Sequence, residues 1–360
     1  MNANHRHYMS LALRLAEQGR LTVSPNPMVG CIIVKNNHIV GQGFHQRAGE
    51  PHAEIFALRE AREQAKGASA YITLEPCCHQ GKTPPCTSAL IAAGIKNVYV
   101  SCMDPNPLVS GKGITLLRSA GIAVEVGFMS AEATQLNEIF FHYIKNKRPF
   151  VIAKWAMSLD GKKKVNPHDD KQISCRESQY HTHQVRQQVD AILVGANTIH
   201  QDNPQLTVRF ASSDKAHSKQ PIRIILLGQK KLPLNLNIFN DKTPGRTIIV
   251  ATKKTIDLVK HIKSNHVELC ILPENKEKKI CLPTLLDKLG QKEITSLLVE
   301  GGATVHESFF KENLVNKVHI YLSSTIIGSL DKKKHLSIKD FSKIGSDFHF
   351  IADFQEIKHV

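Results

Sequence analysis

Two hydrophobic periodicities alternate along the first 130 residues of the chain. Apolar side chains recur at the three- and four-residue spacing of a helix in three segments, residues 8–18, 52–65 and 112–120. Runs with strand-like composition lie between these segments, at residues 31–34, 39–44, 70–74, 97–102 and 122–126. Alternation of strands and helices favours a sheet with helices on its faces, so we predict a three-layer α/β/α sandwich.

The pattern breaks at the charged stretch 145–149 and then resumes. Strands are expected at residues 150–153, 191–194, 222–227, 247–251, 267–272 and 294–299. Helices are expected at residues 176–189, 255–263 and 282–289, and a last one opens after the glycine pair 301–302 and ends at residue 311. Polar loops are expected at residues 197–198 and 202–204. The chain therefore divides into domains of residues 1–147 and 148–360, the second also α/β.

Composition narrows the class of protein. Of 360 residues, 41% are apolar, which is enough material for two cores. Lysine and arginine number 47 against 32 acidic residues, a net charge of +15 that suits polyanions or phosphorylated small molecules without choosing between them. The lysine clusters at 162–164 and 332–334 have no aromatic residues among them, so solvated surface is the better interpretation, and no nucleic-acid partner is expected.

The cysteines and the N-terminal residues indicate the cellular compartment in which the protein is expected. The eight cysteines are irregularly spaced and do not resemble the disulfide framework of a small secreted protein. The first residues lack the apolar core of a signal peptide, and no apolar run reaches the roughly 18 residues that span a bilayer. We therefore expect a reduced, cytoplasmic protein with no membrane partner.

The strongest chemical signal is a His-x-Glu pair followed by a Pro-Cys and a later cysteine. His52, Cys77 and Cys86 offer zinc three ligands and leave the fourth tetrahedral position open to water. Zinc lowers the pKa of such a water to roughly 7. Glu54 lies two residues beyond the histidine and can carry protons without binding the metal. This arrangement is the signature of zinc nucleobase deaminases.

Two plainer interpretations stand beside this one. The cysteines could be reduced thiols of the core, with His52 an ordinary surface histidine. Alternatively, Cys78 or His79 could complete a closed structural zinc site, although Glu54 would then have no task. Adjacent residues rarely both point at one ion, so Cys77 is preferred to Cys78 as the ligand.

Beyond these residues, the chain resembles the bifunctional riboflavin-biosynthesis deaminase–reductase family over nearly its whole length. In the first half the matching segments are residues 26–30 (NPMVG), 43–54 (GFHQRAGEPHAE), 73–86 (TLEPCCHQGKTPPC), 104–107 (DPNP) and 111–113 (GKG). In the second half they are residues 158–161 (SLDG), 202–209 (DNPQLTVR) and 300–302 (EGG). The eight residues between Cys77 and Cys86 are specific to this family, since other zinc deaminases usually have two.

The resemblance implies two consecutive reactions on a phosphoribosylated pyrimidine. A cytidine-deaminase-like N-terminal domain would deaminate 2,5-diamino-6-(5-phosphoribosylamino)pyrimidin-4-one, with His52, Cys77 and Cys86 as zinc ligands and Glu54 as proton carrier. A C-terminal domain similar to dihydrofolate reductase would then reduce the ribosyl group to ribityl with NADPH. A homo-oligomer, a dimer or larger, is also expected.

Further site residues are implied by position in the family's second half. The positions that match NADPH contacts are Ala156, Gln172, Thr198, Asp202, Gly228, Gly302, Ala303 and Thr304. The positions that match substrate contacts are Asp170, Arg186, Leu206, Arg209 and Glu300. Forked arginine side chains suit a phosphoribosyl ligand, although a surface arginine is the plain alternative. The glycine pair 301–302 fits a phosphate at a helix start, or equally a tight turn.

The sequence departs from the family at two places in the second half. A polar stretch, residues 166–172, replaces a Gly/Ser-rich turn with a tryptophan, and Leu227-Gly228 replaces a common Asp-Ser or Asp-Thr. A deaminase with a degenerate reductase domain therefore stays an alternative. A tRNA or cytidine deaminase fused to an unrelated domain is another, and a basic RNA-binding protein with a structural zinc is a third.

Overall fold

In the computed structural model, the chain forms two compact units. The structure describes residues 3–79, 84–107, 109–162, 173–209, 219–240, 245–262, 264–328, 334–344 and 347–354. The first unit comprises Met1–Phe150 together with Leu282–Ser296, and the second comprises Val151–Cys281 and Leu297–Val360. The first unit thus contains a segment that lies far along the sequence from the rest of it.

A five-stranded sheet forms the middle layer of the first unit. Its strands are β1 (Gly30–Lys35), β2 (His38–Phe44), β3 (Ser69–Leu74), β4 (Asn97–Cys102) and β5 (Ala123–Val126). They lie in the order β2-β1-β3-β4-β5. Strand β1 is antiparallel to both of its neighbours, whereas β3, β4 and β5 run parallel. The carboxyl ends of β3 and β4 therefore open at the same edge.

Helices cover both faces of this sheet. They are α1 (Ala3–Glu17), α2 (Ala53–Ala61), α3 (Cys86–Ala92), α4 (Lys112–Ser119), α5 (Ser130–Leu136) and α6 (Glu138–Asn146). In β1, Ile33 packs in a buried cluster with residues of α2, α3 and α4, while Ile32 packs with Met9 of α1. Successive residues of a strand face opposite sides, so these two clusters mark the two outer layers. The predicted three-layer α/β/α sandwich is confirmed.

The second unit is built on a larger, mostly parallel sheet. Its helices are α7 (Arg176–Gln188), α8 (Ala196–Asp202) and α10 (Ala303–Lys311). Helix α9 (Leu282–Gln291) lies between α8 and α10 in the sequence but belongs to the first unit. Its strands are β6 (Phe150–Ser158), β7 (Ala191–Gly195), β8 (Ile222–Leu226), β9 (Thr247–Ala251), β10 (Val267–Ile271), β11 (Ser296–Val299) and β12 (Lys317–Ser323). They lie in the order β10-β9-β8-β7-β11-β6-β12. Strands β13 (Thr325–Ile326), β14 (Lys334–Ile344) and β15 (Asp347–Phe354) form a separate antiparallel sheet.

Several element predictions were wrong in detail. The helix expected at residues 255–263 is only a 3-10 turn, Ile256–Leu258. There the Thr255 hydroxyl accepts the Thr252 backbone N–H at 3.0 Å, and such local bonds compete with helix formation. Residues 197–198, expected in a loop, lie in α8. The helix expected over 52–65 is present, as α2 to Ala61 and then as a 3-10 helix, Arg62–Ala65; Arg62, with φ of 49°, marks the change.

Among the described residues, no helix combines the length and the apolar character that a membrane span requires.

Gly30 provides a test of the packing of α1 on β1. A Cβ atom at this position would lie 2.0 Å from the Ala12 carbonyl oxygen and 2.9 Å from the Ala16 nitrogen, both backbone atoms of α1. Gly30→Ala must therefore displace the helix, and we expect the free energy of unfolding to fall by about 1–3 kcal/mol or more. Urea unfolding followed by circular dichroism measures this. Gly228→Ala, whose Cβ would meet no atom within 4 Å, is the control; equal stability of the two variants would contradict the packing.

Candidate active sites

Three side chains of metal-ligand type meet at the carboxyl edge of the first sheet. His52 is the N-cap residue of α2, Cys86 is the first residue of α3, and Cys77 follows the end of β3. Their ligand atoms all lie within 4.8 Å of one another. Nδ1 of His52 lies 3.2 Å from Sγ of Cys86 and 3.5 Å from Sγ of Cys77. Among the described residues this cluster does not include Cys78 or His79.

The two thiol groups do not titrate independently. A hydrogen bond from Cys86, together with the nearby His52, lowers the pKa of Cys77 well below that of a free thiol, although burial opposes this. The same contact with Cys77, with burial, raises the pKa of Cys86. Without a cation the pair therefore favours one thiolate and one thiol. A metal ion favours two thiolates, and two sulfur atoms with one imidazole nitrogen are a donor set that suits zinc.

Glu54 lies beside this cluster and is almost completely buried. Its side chain is on the first turn of α2, and the residue is only 3% exposed. Burial raises the pKa of its carboxyl group, while the charge of His52 acts in the opposite direction. Its Oε2 atom has no hydrogen-bond partner among the described residues. A buried oxygen of this kind calls for a water or substrate group, so a metal with one open coordination position fits the site.

A cavity of about 440 Å³ opens onto these residues. Its polar lining includes Asn26, His45 and Asp104. The Asn26 amide contacts His45 Nε2 at 3.1 Å, and His45 Nδ1 lies 3.2 Å from the Pro51 carbonyl oxygen. Burial raises the pKa of Asp104 to about 6 and lowers that of His45. The cavity therefore presents several hydrogen-bonding groups in a poorly solvated space, as a small polar ligand requires.

Sequence reasoning missed the helix that closes one wall of this cavity. Phe140, Tyr143 and Ile144 of α6 line it. Asn137, next to α6, donates to the Met28 carbonyl and accepts the Met28 N–H, both at 2.8 Å, and so fixes the turn that carries Asn26. The helical spacing of the apolar residues 139–144 was a signal that could have revealed α6.

In the second unit, a buried ion pair joins two of the expected substrate residues. Arg186 on α7 and Glu300 after β11 form two hydrogen bonds, 2.7 Å from Nε to Oε1 and 2.8 Å from Nη2 to Oε2. Their side chains are 12% and 8% exposed. Burial alone would raise the pKa of Glu300, but Arg186 outweighs it and holds that pKa at about 2. The pair is therefore charged throughout the physiological range.

One further cationic group, Lys154, and a histidine that is neutral near pH 7, His183, interact with this pair. Lys154 on β6 has its pKa lowered by burial, against the attraction of Glu300, and its Nζ lies 5.3 Å from the centre of the Tyr321 ring. His183 on α7 accepts the Arg209 backbone N–H at 3.3 Å, and burial lowers its pKa to about 4. Lys154 was not expected from the sequence, although a lysine within a buried strand was a visible signal. The cluster leaves positive charge available to an anionic ligand.

The expected nucleotide positions surround the start of α10. Thr198 on α8 accepts the Gly302 backbone N–H at 3.2 Å. A Cβ atom at Gly301 would lie 3.1 Å from the Gly195 nitrogen. The backbone segments that follow β7 and β11 are therefore so close that a larger residue at position 301 would force a shift. Gly302, Ala303 and Thr304 are exposed at the start of the helix, and the backbone N–H groups of Ala303 and Thr304 have no acceptor within the helix and can bind a phosphate. These residues fit NADPH.

The remaining expected positions are scattered around this region or lie outside it. Ala156 is half-buried on β6, Asp202 is the exposed last residue of α8, and Leu206 is buried. The position of Gly228, after β8, offers open space to a side chain. Asp170 and Gln172 lie outside the described residues.

Family models match both halves of the chain. The model of the cytidine and deoxycytidylate deaminase zinc-binding region matches residues 2–102. The model of the RibD C-terminal domain matches residues 149–352, which is more than half of the chain.

Individual relatives extend over nearly the full length. The riboflavin biosynthesis protein RibD of Aquifex aeolicus is 45% identical over 90% of this chain and 88% of its own. The chain belongs to the RibD family. The Escherichia coli RibD protein is 39% identical over 98% of this chain and 96% of its own. The RibD structure from Acinetobacter baumannii has a TM-score of 0.78 at 34% identity, covering 98% and 99% of the two chains.

Membership in the RibD family confirms the main expectations from the sequence. The chain is a bifunctional deaminase and reductase of riboflavin biosynthesis. A deaminase–reductase structure from Thermotoga maritima has a TM-score of 0.79 at 33% identity, covering 96% and 97% of the two chains. The cytidine-deaminase-like and reductase-type folds and the use of zinc and NADPH are likewise confirmed.

Metal content tests the ligand set. The purified protein should hold about one zinc per chain, and Cys77→Ser or Cys86→Ser should lose it because each removes a thiolate ligand. Cys78→Ser, the adjacent control, should retain the metal because Cys78 lies outside the three-ligand cluster. Zinc is measured by plasma mass spectrometry after dialysis. Full retention in Cys86→Ser would exclude it as a ligand.

The pair of Arg186 and Glu300 predicts a specific pH dependence of stability. The pKa of Glu300 falls from 4.5 to about 2 on folding. Since the folded pKa is the lower one, its stabilising effect, roughly 3 kcal/mol, is complete above pH 4.5 and disappears as the pH falls towards 2. Glu300→Gln should therefore destabilise the protein strongly at pH 7 and progressively less below pH 4.5.

Urea unfolding at several pH values measures this difference. The control is Asp287→Asn, which breaks the exposed pair with Arg148 and should change the free energy of unfolding by less than about 1 kcal/mol. A loss in Glu300→Gln that does not vary with pH would contradict the assignment.

Proposed function

We propose that this chain deaminates 2,5-diamino-6-(5-phosphoribosylamino)pyrimidin-4-one and then reduces the ribosyl group of the product with NADPH, giving 5-amino-6-(5-phosphoribitylamino)uracil. The observation that carries the deaminase assignment is the cluster of His52, Cys77 and Cys86 beside the unpartnered carboxyl oxygen of Glu54. The printed name of the Thermotoga maritima relative, a diaminohydroxyphosphoribosylaminopyrimidine deaminase and 5-amino-6-(5-phosphoribosylamino)uracil reductase, supports the substrates.

The first reaction takes place in the cavity of the first unit, which the proposed domain of residues 1–147 lines together with Glu293. His52, Cys77 and Cys86 hold the zinc ion, which supplies Lewis-acid activation of water. Glu54 takes up a proton and delivers it to the departing amino group, a role suited to a buried carboxyl group whose pKa is raised. Asn26, His45 and Asp104 line the cavity and orient the pyrimidine by hydrogen bonds.

The second reaction takes place in the proposed domain of residues 148–360. NADPH supplies the hydride. Thr198, Asp202 and residues 302–304 hold the nucleotide, together with Ala156, Gln172 and Gly228. Arg209 and the buried pair of Arg186 and Glu300 bind the phosphoribosyl substrate, along with Asp170 and Leu206. The positive charge around Glu300 supports this assignment, because the substrate carries a phosphate.

Product analysis with and without NADPH tests the two steps separately. Wild-type protein should release ammonia from the diaminopyrimidine substrate without NADPH and form the ribityl product only with it. Glu54→Gln, which keeps the shape of the side chain but carries no proton, should slow ammonia release by about 10²–10⁴-fold. It should still oxidise NADPH when given deaminated substrate, since the second domain performs that step. Mass spectrometry identifies the products.

Three outcomes would contradict parts of this proposal. Near-normal ammonia release by Glu54→Gln would remove this residue from the mechanism. Deamination without any NADPH oxidation would indicate a degenerate reductase domain. Deamination of cytidine or of tRNA in place of the diaminopyrimidine would overturn the substrate assignment.

The assembly and compartment are part of the proposal. We infer a cytoplasmic homo-oligomer, a dimer or larger. Val318, Ile320 and Leu322 are 39–47% exposed along β12, the edge strand of the seven-stranded sheet. An apolar row on an edge strand favours association with a second copy. Light scattering after size-exclusion chromatography gives the mass in solution.

A further inference from the structure

Glu75 is a buried acidic residue between two parts of the deaminase site. It follows β3 directly, is 3% exposed, and donates its backbone N–H to the Cys102 carbonyl at 3.0 Å. Two residues later the chain reaches Cys77. Glu75 also lines the cavity, but it is not one of the three residues of the metal-ligand cluster. Its burial therefore needs another explanation, since an acidic side chain is rarely buried without partners.

The side chain of Glu75 accepts four backbone N–H groups. Oε1 accepts those of Gly113 at 3.0 Å and Ile114 at 3.4 Å, in the first turn of α4. Oε2 accepts those of Gly111 at 2.9 Å and Asp104 at 3.3 Å. A carboxylate has about four acceptor positions, so this side chain is fully used. It lies at a helix N-terminus, where negative charge is favoured.

These four bonds join two segments. One is residues 75–77, the metal-ligand arm, which ends at Cys77; the other is residues 104–107, the Asp104 loop, which lines one wall of the cavity. Asp104 and Asn106 line that cavity, and Oδ1 of Asp104 accepts the Asn106 N–H at 2.8 Å. On the other side, a Cβ at Gly113 would lie 2.2 Å from the Pro76 carbonyl oxygen, so α4 rests directly on the chain next to Cys77. One carboxylate thus connects Cys77, the start of α4 and the Asp104 loop.

We propose that Glu75 is a positioning residue for deamination, which fixes the Asp104 loop at the distance from the zinc ligands that the bound pyrimidine requires. A misplacement of about 1 Å at a reacting site can reduce the rate 10²-fold. Glu75→Gln replaces one carboxylate oxygen by an NH₂ group, which faces two backbone donors and accepts neither. Either the loop or the helix start must then move, while the three metal ligands remain.

Steady-state deamination kinetics distinguish positioning from plain stabilisation. The matched control is Leu117→Ala, because Leu117 is fully buried on the same helix, belongs to the apolar core cluster of the first unit and is not among the residues that line the cavity. Both variants should lower the melting temperature. At 25 °C, Leu117→Ala should keep kcat and KM within about twofold of wild type. Glu75→Gln should lose at least tenfold in kcat/KM, with part of the loss in KM, while retaining about one zinc per chain.

Each outcome decides the proposal. It is overturned if Glu75→Gln keeps wild-type kcat/KM, if Leu117→Ala loses activity to the same extent, or if Glu75→Gln loses its zinc, which would make it a support of the ligand arm alone. If Glu75→Gln does not fold, Glu75→Asp, which keeps the charge but is too short to reach all four donors, takes its place in the same comparison. This inference rests on the proposed function, because the kinetics use the same diaminopyrimidine substrate. Ammonia release by the wild-type protein tests whether that compound is a substrate, independently of the role of Glu75.

Discussion

The proximity of two thiol groups and an imidazole beside a buried carboxyl group is the constraint on which the first unit depends. Cys77 and Cys86 cannot both be ionised in so small a space unless a cation compensates them. The fold meets this constraint with parallel strands whose carboxyl ends open at one edge, and with helices that begin there. His52 and Cys86 both lie at helix starts, where the helix dipole favours negatively charged groups such as a thiolate.

The second unit presents the opposite balance of charge. There the Glu300 carboxylate lies among Arg186, Lys154 and Arg209, and charge interactions between Glu300 and these groups act on their pKa values. Among the described residues, this one negative group does not neutralise the three cationic ones, so an anionic ligand is the natural complement. The net charge of +15 did not by itself distinguish polyanions from phosphorylated small molecules as ligands. Part of that positive charge lies in this cluster, where it can bind a phosphorylated small molecule.

In the first half of the chain, local sequence patterns predicted the site residues better than they predicted how the helices and strands pack. The helix start at His52 and the strand that precedes Cys77 follow from local patterns, because each is encoded within a few residues. The pairing of Arg186 with Glu300 is different, since 114 residues separate them and only the tertiary fold brings them together. The failed helix at 255–263 has a local cause, in which the Thr255 hydroxyl binds the backbone that a helix would use.

The membership of α9 in the first unit affects the order in which the protein can form during synthesis. Tyr143 donates to the Gly290 carbonyl at 3.0 Å, Arg148 pairs with Asp287, and a Cβ at Gly290 would lie 1.9 Å from the Lys147 carbonyl oxygen. On the ribosome, residues 1–150 emerge long before Leu282–Ser296. The contacts of α9 with the rest of the first unit can therefore form only after most of the second unit has been translated. Completion of the first unit thus depends on a segment that follows most of the second unit in the sequence.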